Sequence, residues 1–155
     1  MKWYLLIFIP ALACIGISAC SKKKPYPDRP YIEFKGSNPD SIRAGASEDT
    51  LFISFRFTDG DADLGNDPAS GNYDIFLTDL RDNTIYTYFF PNVPDVVRNP
   101  EKGMEGTCTF FLSAAFMILR PDHPDGDTAR YSLYIKDRAG NQSNTIYTNS
   151  VYIYP

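Results

Sequence analysis

Residue types that carry chemistry are scarce in this chain: among 155 residues there are one histidine, three cysteines and one tryptophan. Cys14 lies in the N-terminal apolar run and Cys20 just after it, so Cys108 is alone in the body of the chain. A single cysteine closes no internal disulfide, and stability has to come from a packed core. In Thr107-Cys108-Thr109-Phe110-Phe111-Leu112, Cys108 shares one strand face with Phe110 and Leu112, which reads as a buried structural thiol. A nucleophile would need a positioned histidine, and His123 stands alone in a proline-flanked turn. One histidine and one buried cysteine do not build a typical zinc site. Paired carboxylates could serve glycoside hydrolysis, yet the aspartates here fall on turns, so the chain reads as non-enzymatic. Basic charge is also short: 15 Lys and Arg face 19 Asp and Glu, for a net charge of −4. That balance excludes the basic footprint of a nucleic-acid binder.

A long membrane span is missing too. Met1-Lys2 gives a basic start, and Trp3 to Gly16 is an apolar run broken only by Pro10. The run falls short of the roughly 20 apolar residues a spanning helix needs. Small residues then lead into Cys20, in Ile17-Ser18-Ala19-Cys20. Charged start, apolar run and small-residue cleavage site make a secretory signal peptide. The cysteine at the cut resembles the bacterial lipoprotein signal. That resemblance implies cleavage after residue 19, acylation of Cys20 with palmitate among its chains, and lipid anchoring in the outer membrane. Without residues 1–19, 136 residues remain and the loss of Lys2 moves the charge to −5, enough for one domain. Residues 20–30 then form the lipidated cysteine and a stiff, proline-rich tether, and residues 31–155 the domain. Lys22-Lys23-Lys24 admits two readings, contact with anionic headgroups at about 1 kcal/mol per charge or a solvated spacer.

What the body of the chain has in abundance is aromatics, 11 Tyr and 11 Phe, which favour half-buried pleated surfaces. No segment of 10–12 residues carries a helical stripe; Ser113–Leu119 is long enough for one turn before Pro121. Alternation is clear instead. Leu51, Ile53, Phe55 and Phe57 share one parity, as do Tyr73, Ile75 and Leu77, and Tyr131, Leu133 and Ile135. Period-2 patterning predicts strands with one face toward a core. Further strands are expected at Tyr31–Phe34, Ile85–Phe90, Thr107–Leu112 and Ile146–Tyr154. The parity of the last switches between Thr148 and Val151, so a bulge is expected near Asn149-Ser150. Pro91–Gly106 reads as a long insertion loop. About seven strands with turn signals between them predict an all-β, antiparallel immunoglobulin-like β-sandwich.

Thr58-Asp59-Gly60-Asp61-Ala62-Asp63-Leu64-Gly65 is the sharpest local signal. In an extended turn, Asp59, Asp61 and Asp63 project to one side, and hard oxygen ligands so spaced suit calcium. The loop is not an EF-hand: its sixth position is Leu64 and its twelfth Ser70, where glycine and glutamate are required. Missing ligands must come from elsewhere, and Asp137-Arg138-Ala139-Gly140-Asn141-Gln142-Ser143 is the natural donor. With strands lettered A to G, the first loop joins B to C and the second F to G, which places both at one end of the sandwich. Asp59, Asp61, Asp63 and Asp137 are thus the candidate metal ligands, with Asn141 or a backbone carbonyl completing the shell. The competing reading is that Asp and Gly are ordinary turn residues at both places. Asp122-His123-Pro124-Asp125-Gly126-Asp127 forms a second acidic stretch at the opposite end, readable as a tight turn or a separate site.

The Asp137 hairpin resembles the last hairpin of bacterial immunoglobulin-like and cadherin-like modules, Asp-x-Ala-Gly-Asn-x-Ser. Together with the Thr-Asp-Gly-Asp-x-Asp-Leu-Gly loop, the chain is similar over roughly Phe52 to Ile153 to uncharacterised lipoproteins of Bacteroidota. The resemblance implies a sandwich fold and no particular activity. Two functions are compatible with it. One is a non-catalytic, calcium-steadied binding or structural module of the cell envelope with a protein partner. The other is a glycan-binding accessory lipoprotein of polysaccharide uptake, for which Tyr86, Tyr88, Phe89 and Phe90 would be stacking platforms unless they serve sheet packing. Trp3, the sole tryptophan, leaves with the leader and cannot serve. Surface-exported lipoproteins of that phylum carry Lys-Asp/Glu-rich starts; Ser21-Lys22-Lys23-Lys24 departs from this, leaving periplasmic and surface orientation both open.

Overall fold

The computed structural model describes residues 24–155 apart from 92, 95 and 97; the leader, Cys20 and the start of the lysine run lie outside the described residues. Among the described residues ten strands follow in order: β1 Tyr31–Asn38, β2 Ser41–Arg43, β3 Thr50–Asp59, β4 Ile75–Asp79, β5 Ile85–Tyr88, β6 Met104–Ser113, β7 Asp127–Ala129, β8 Tyr131–Ile135, β9 Ile146–Tyr147 and β10 Val151–Tyr154. Among the described residues helix is confined to 3-10 turns such as Pro68–Ser70 and Ala114–Phe116, the latter within the segment expected to make one turn. Among the described residues no helix is long and apolar enough to cross a membrane.

One layer of the sandwich is β1-β3-β6. The other is β5-β4-β8-β9, continued by β2-β10-β7. The continuation is direct, because β7 and β8 are separated only by Arg130 and β9 and β10 only by residues 148–150. Thr148 holds that joint by accepting from Tyr131 N at 3.0 Å and donating to Tyr131 O at 2.9 Å. The last strand therefore breaks where the parity switch placed the irregularity. Alternation also holds in the core: Leu51, Ile53 and Phe55 of one layer and Leu77, Leu133, Ile135, Val151 and Ile153 of the other are 0 % exposed and belong to one apolar cluster. Cys108 is buried within it, and burial pushes its thiol up to about 12, so it is packed and unreactive.

Three features depart from the sequence reading. The chain crosses between layers at the cis Asn38-Pro39 bond, and β2 then pairs parallel to β10, an exception to the antiparallel rule. Ile85–Tyr88 stays in the β4 layer as a hairpin partner, so that layer is the wider one. Tyr73 lies outside β4 and is 44 % exposed, whereas its neighbour Asp74 is fully buried. Asp74 is buried because it ties loops: one oxygen accepts from Asn66 N and Nδ2, the other from Phe90 N. A charge bonded to three donors can sit inside where alternation alone forbids it.

Candidate metal centre

The β3–β4 loop and the β8–β9 loop meet at one pole of the sandwich. One carboxylate oxygen from each of Asp59, Asp61, Asp63 and Asp137 lies within 4.8 Å of every other. Oxygens on opposite sides of a calcium ion are about 4.8 Å apart at ligand distances near 2.4 Å, so the four fit one coordination sphere. Local backbone explains the convergence. Asp59 ends β3 facing inward and is 0 % exposed. Ala62 takes a left-handed φ of 59°, which costs a non-glycine residue about 1 kcal/mol and turns Asp63 back toward Asp59. Asp63 N then donates to Asp59 Oδ2 at 2.9 Å.

The second loop is clamped to the first. Ala139 N donates to Asp63 Oδ2 at 3.0 Å, Arg138 N to Asp63 O at 3.4 Å, and Arg138 Nε to Gly65 O at 2.8 Å. Asn141 lies against one of the four: its N and Nδ2 donate to the two oxygens of Asp137 at 2.7 and 2.8 Å. These two bonds fix the orientation of the Asp137 carboxylate.

Electrostatics disfavours four bare carboxylates at this spacing. Asp59 Oδ1, Asp61 Oδ1 and Asp63 Oδ1 are buried and accept no hydrogen bond. Two unit charges 4.8 Å apart repel by roughly 3 kcal/mol at an effective dielectric of 20. Burial first, then the Asp61 charge, pushes the Asp59 carboxyl up to about 7. Burial and then the charges of Asp137 and Asp61 push Asp63 up to about 6. Orphaned buried oxygens are costly in a finished fold, and here three belong to one cluster of carboxylates.

Two supports of this pole carry little sequence signal. Arg98, from the long insertion, donates to Ala62 O at 2.8 Å, Gly65 O at 3.3 Å and Val93 O at 3.0 Å, bracketing the aspartate loop through its backbone. The N-terminal segment also reaches it: Gly60 N donates to Pro27 O at 2.8 Å. The other acidic stretch is different in kind. Asp127 is bonded by Arg120 and Arg81, which hold its carboxyl well below the usual range. Asp122 and His123 are exposed, 3.5 Å apart. That stretch is an ion-pair anchor and a turn.

No family model and no curated protein matches the sequence. Among solved structures, the crystal structure of a Niemann-Pick type C2 protein from Japanese carpenter ant is similar over 84 % of this chain and 97 % of that chain, with 11 % identity and a TM-score of 0.42.

Proposed function

We propose that this chain is a non-catalytic, lipid-anchored module of the cell envelope whose β3–β4/β8–β9 pole is steadied by one calcium ion. The convergence of four carboxylates from two loops, three of them with an orphaned buried oxygen, carries the reading. Hard oxygen donors with no nitrogen or sulfur among them select calcium over transition metals. The ion's task is loop order: it removes the mutual repulsion and joins the β8–β9 hairpin to the β3–β4 loop. Catalysis finds no support at this pole, where the sole histidine is absent and Cys108 is inert. The anchor is Cys20, and attachment is to the outer membrane with either orientation.

Thermal melting with calcium against chelator tests the site. Calcium at a hundred times its dissociation constant adds about 2.7 kcal/mol if the unfolded chain does not bind it. Asp61→Ala and Asp137→Ala are expected to abolish that increment while still folding. Equal melting temperatures with calcium and chelator in the parent chain would reduce both loops to acidic turns.

The glycan reading draws on one observation. A groove of about 380 Å³ beside Asp137 is lined by Tyr73, Phe76, Asn66, Asn72 and Lys136, so an exposed aromatic stands next to planar amides. The platforms named from sequence serve packing instead: Phe90 is buried against Phe57, Tyr88 packs on Phe110, Tyr86 on Phe116 and Phe89 on Tyr73. Titration with neutral oligosaccharides, with Tyr73→Ala as control, separates a glycan partner from a protein one.

A further inference from the structure

The segment entering the domain, Lys24–Pro30, is seated on the aspartate pole. Gly60 stands between two candidate ligands, Asp59 and Asp61, and a Cβ added to it would lie 2.3 Å from Tyr26 O and 2.5 Å from Pro27 O. Both contacts are with backbone, so nothing there can give way. The Tyr26 ring is held on the far side, where a Cβ on Gly103 would come within 3.2 Å of it and 2.6 Å of Asp59 O. Glu105 bonds the Tyr26 hydroxyl and raises its pKa. Arg29 Nε donates to Gln142 O, on the loop that supplies Asp137. The strap thus touches both ligand-bearing loops through groups that have no slack.

We propose that the ion site and this N-terminal strap form one latch, in which calcium favours the docked strap and calcium removal releases it. The inference rests on the calcium reading of the same four aspartates. With the cluster empty, the carboxylates move apart, Gly60 moves with Asp59 and Asp61, and its bond to Pro27 O is lost. Lys24 is also drawn toward Asp61 and Asp59, but its exposed ammonium is already paired with Asp28 at 2.6 Å, so solvent screens that attraction. Release frees the seven residues Lys24–Pro30, adding up to about 23 Å of extended chain. With Cys20 as the lipidated residue, the ion sets how far the domain stands from the membrane.

Amide hydrogen exchange on the chain, in calcium and in chelator, tests the latch beside a calorimetric calcium titration of the same sample. The Gly60 amide is expected to exchange about tenfold faster in chelator, within the usual range for coupled sites, while core amides such as Phe55 and Leu133 stay unchanged. Coupling is reciprocal, so Tyr26→Ala, which alters no ligand, is expected to weaken calcium binding several-fold. Calcium binding with unchanged Gly60 exchange, or unchanged affinity in Tyr26→Ala, overturns the latch and leaves the site. Absence of calcium binding overturns the site and the latch together.

Discussion

Asp59 and Asp127 are both buried carboxylates, and their surroundings drive them in opposite directions. Asp59 is raised to about 7 by burial and by Asp61, so the metal-free fold holds a proton more tightly than the unfolded chain does. Its contribution to stability is fully present below the ordinary pKa of about 4 and is lost as pH rises through about 7. Melting temperature in chelator is therefore expected to rise on acidification from about pH 8 to about pH 5. The increment from calcium should shrink over the same range, because protons compete for the ligands. A flat or falling profile in chelator contradicts this. Asp127 is depressed by Arg120 and Arg81, so its contribution is present above its ordinary pKa and lost only in acid, as pH falls toward its folded value. Arg81, 8 % exposed and bonded to Asp79 and Asp127, holds this second cluster together. Arg81→Ala leaves two buried carboxylates short of a partner and is expected to cost about 3–5 kcal/mol in urea unfolding; a loss below about 1 kcal/mol would mark it as an ordinary surface pair.

Strands were legible wherever one face is apolar without exception. Leu51 to Phe57 and Tyr131 to Ile135 declare β3 and β8 through alternation alone, and their inward residues are buried. Leu133→Ala is accordingly expected to lower stability by about 2–5 kcal/mol in denaturant unfolding, and a cost under about 1 kcal/mol would contradict its place in the core. Short elements were not legible. β2 and β7 have three residues each, too few for a period to show, and they exist because β10 supplies a partner on either side. Tyr73 misled for another reason: its parity matches Ile75, but Asp74 is drawn inward by three donors and the strand begins only after it. At the aspartate pole, alternating aspartates and sandwich topology together disclosed four residues that converge. Arg98 and the Pro27–Gly60 bond stayed hidden, since an arginine capping carbonyls and a glycine making room for backbone leave no pattern in a single sequence.

Taken whole, the sandwich has two unlike ends. One joins two arginines and two aspartates into a closed ion-pair network, and the other gathers four aspartates, three of them with an orphaned buried oxygen, beside the incoming chain. The strap from Lys24 onward lies on the second pole, so the chain from the proposed anchor at Cys20 would enter the domain from that end. Mass spectrometry of the mature N-terminus is expected to find an acylated Cys20; an unmodified start elsewhere would remove the membrane from this account. The central claim is the ion, and a calcium titration by calorimetry tests it most directly. One saturable site per chain, with a dissociation constant of about 10⁻⁴–10⁻³ M as in extracellular modules, lost in Asp137→Ala, is the predicted result. No saturable heat up to about 10 mM calcium, well above that range, or unchanged binding in Asp137→Ala, would contradict it.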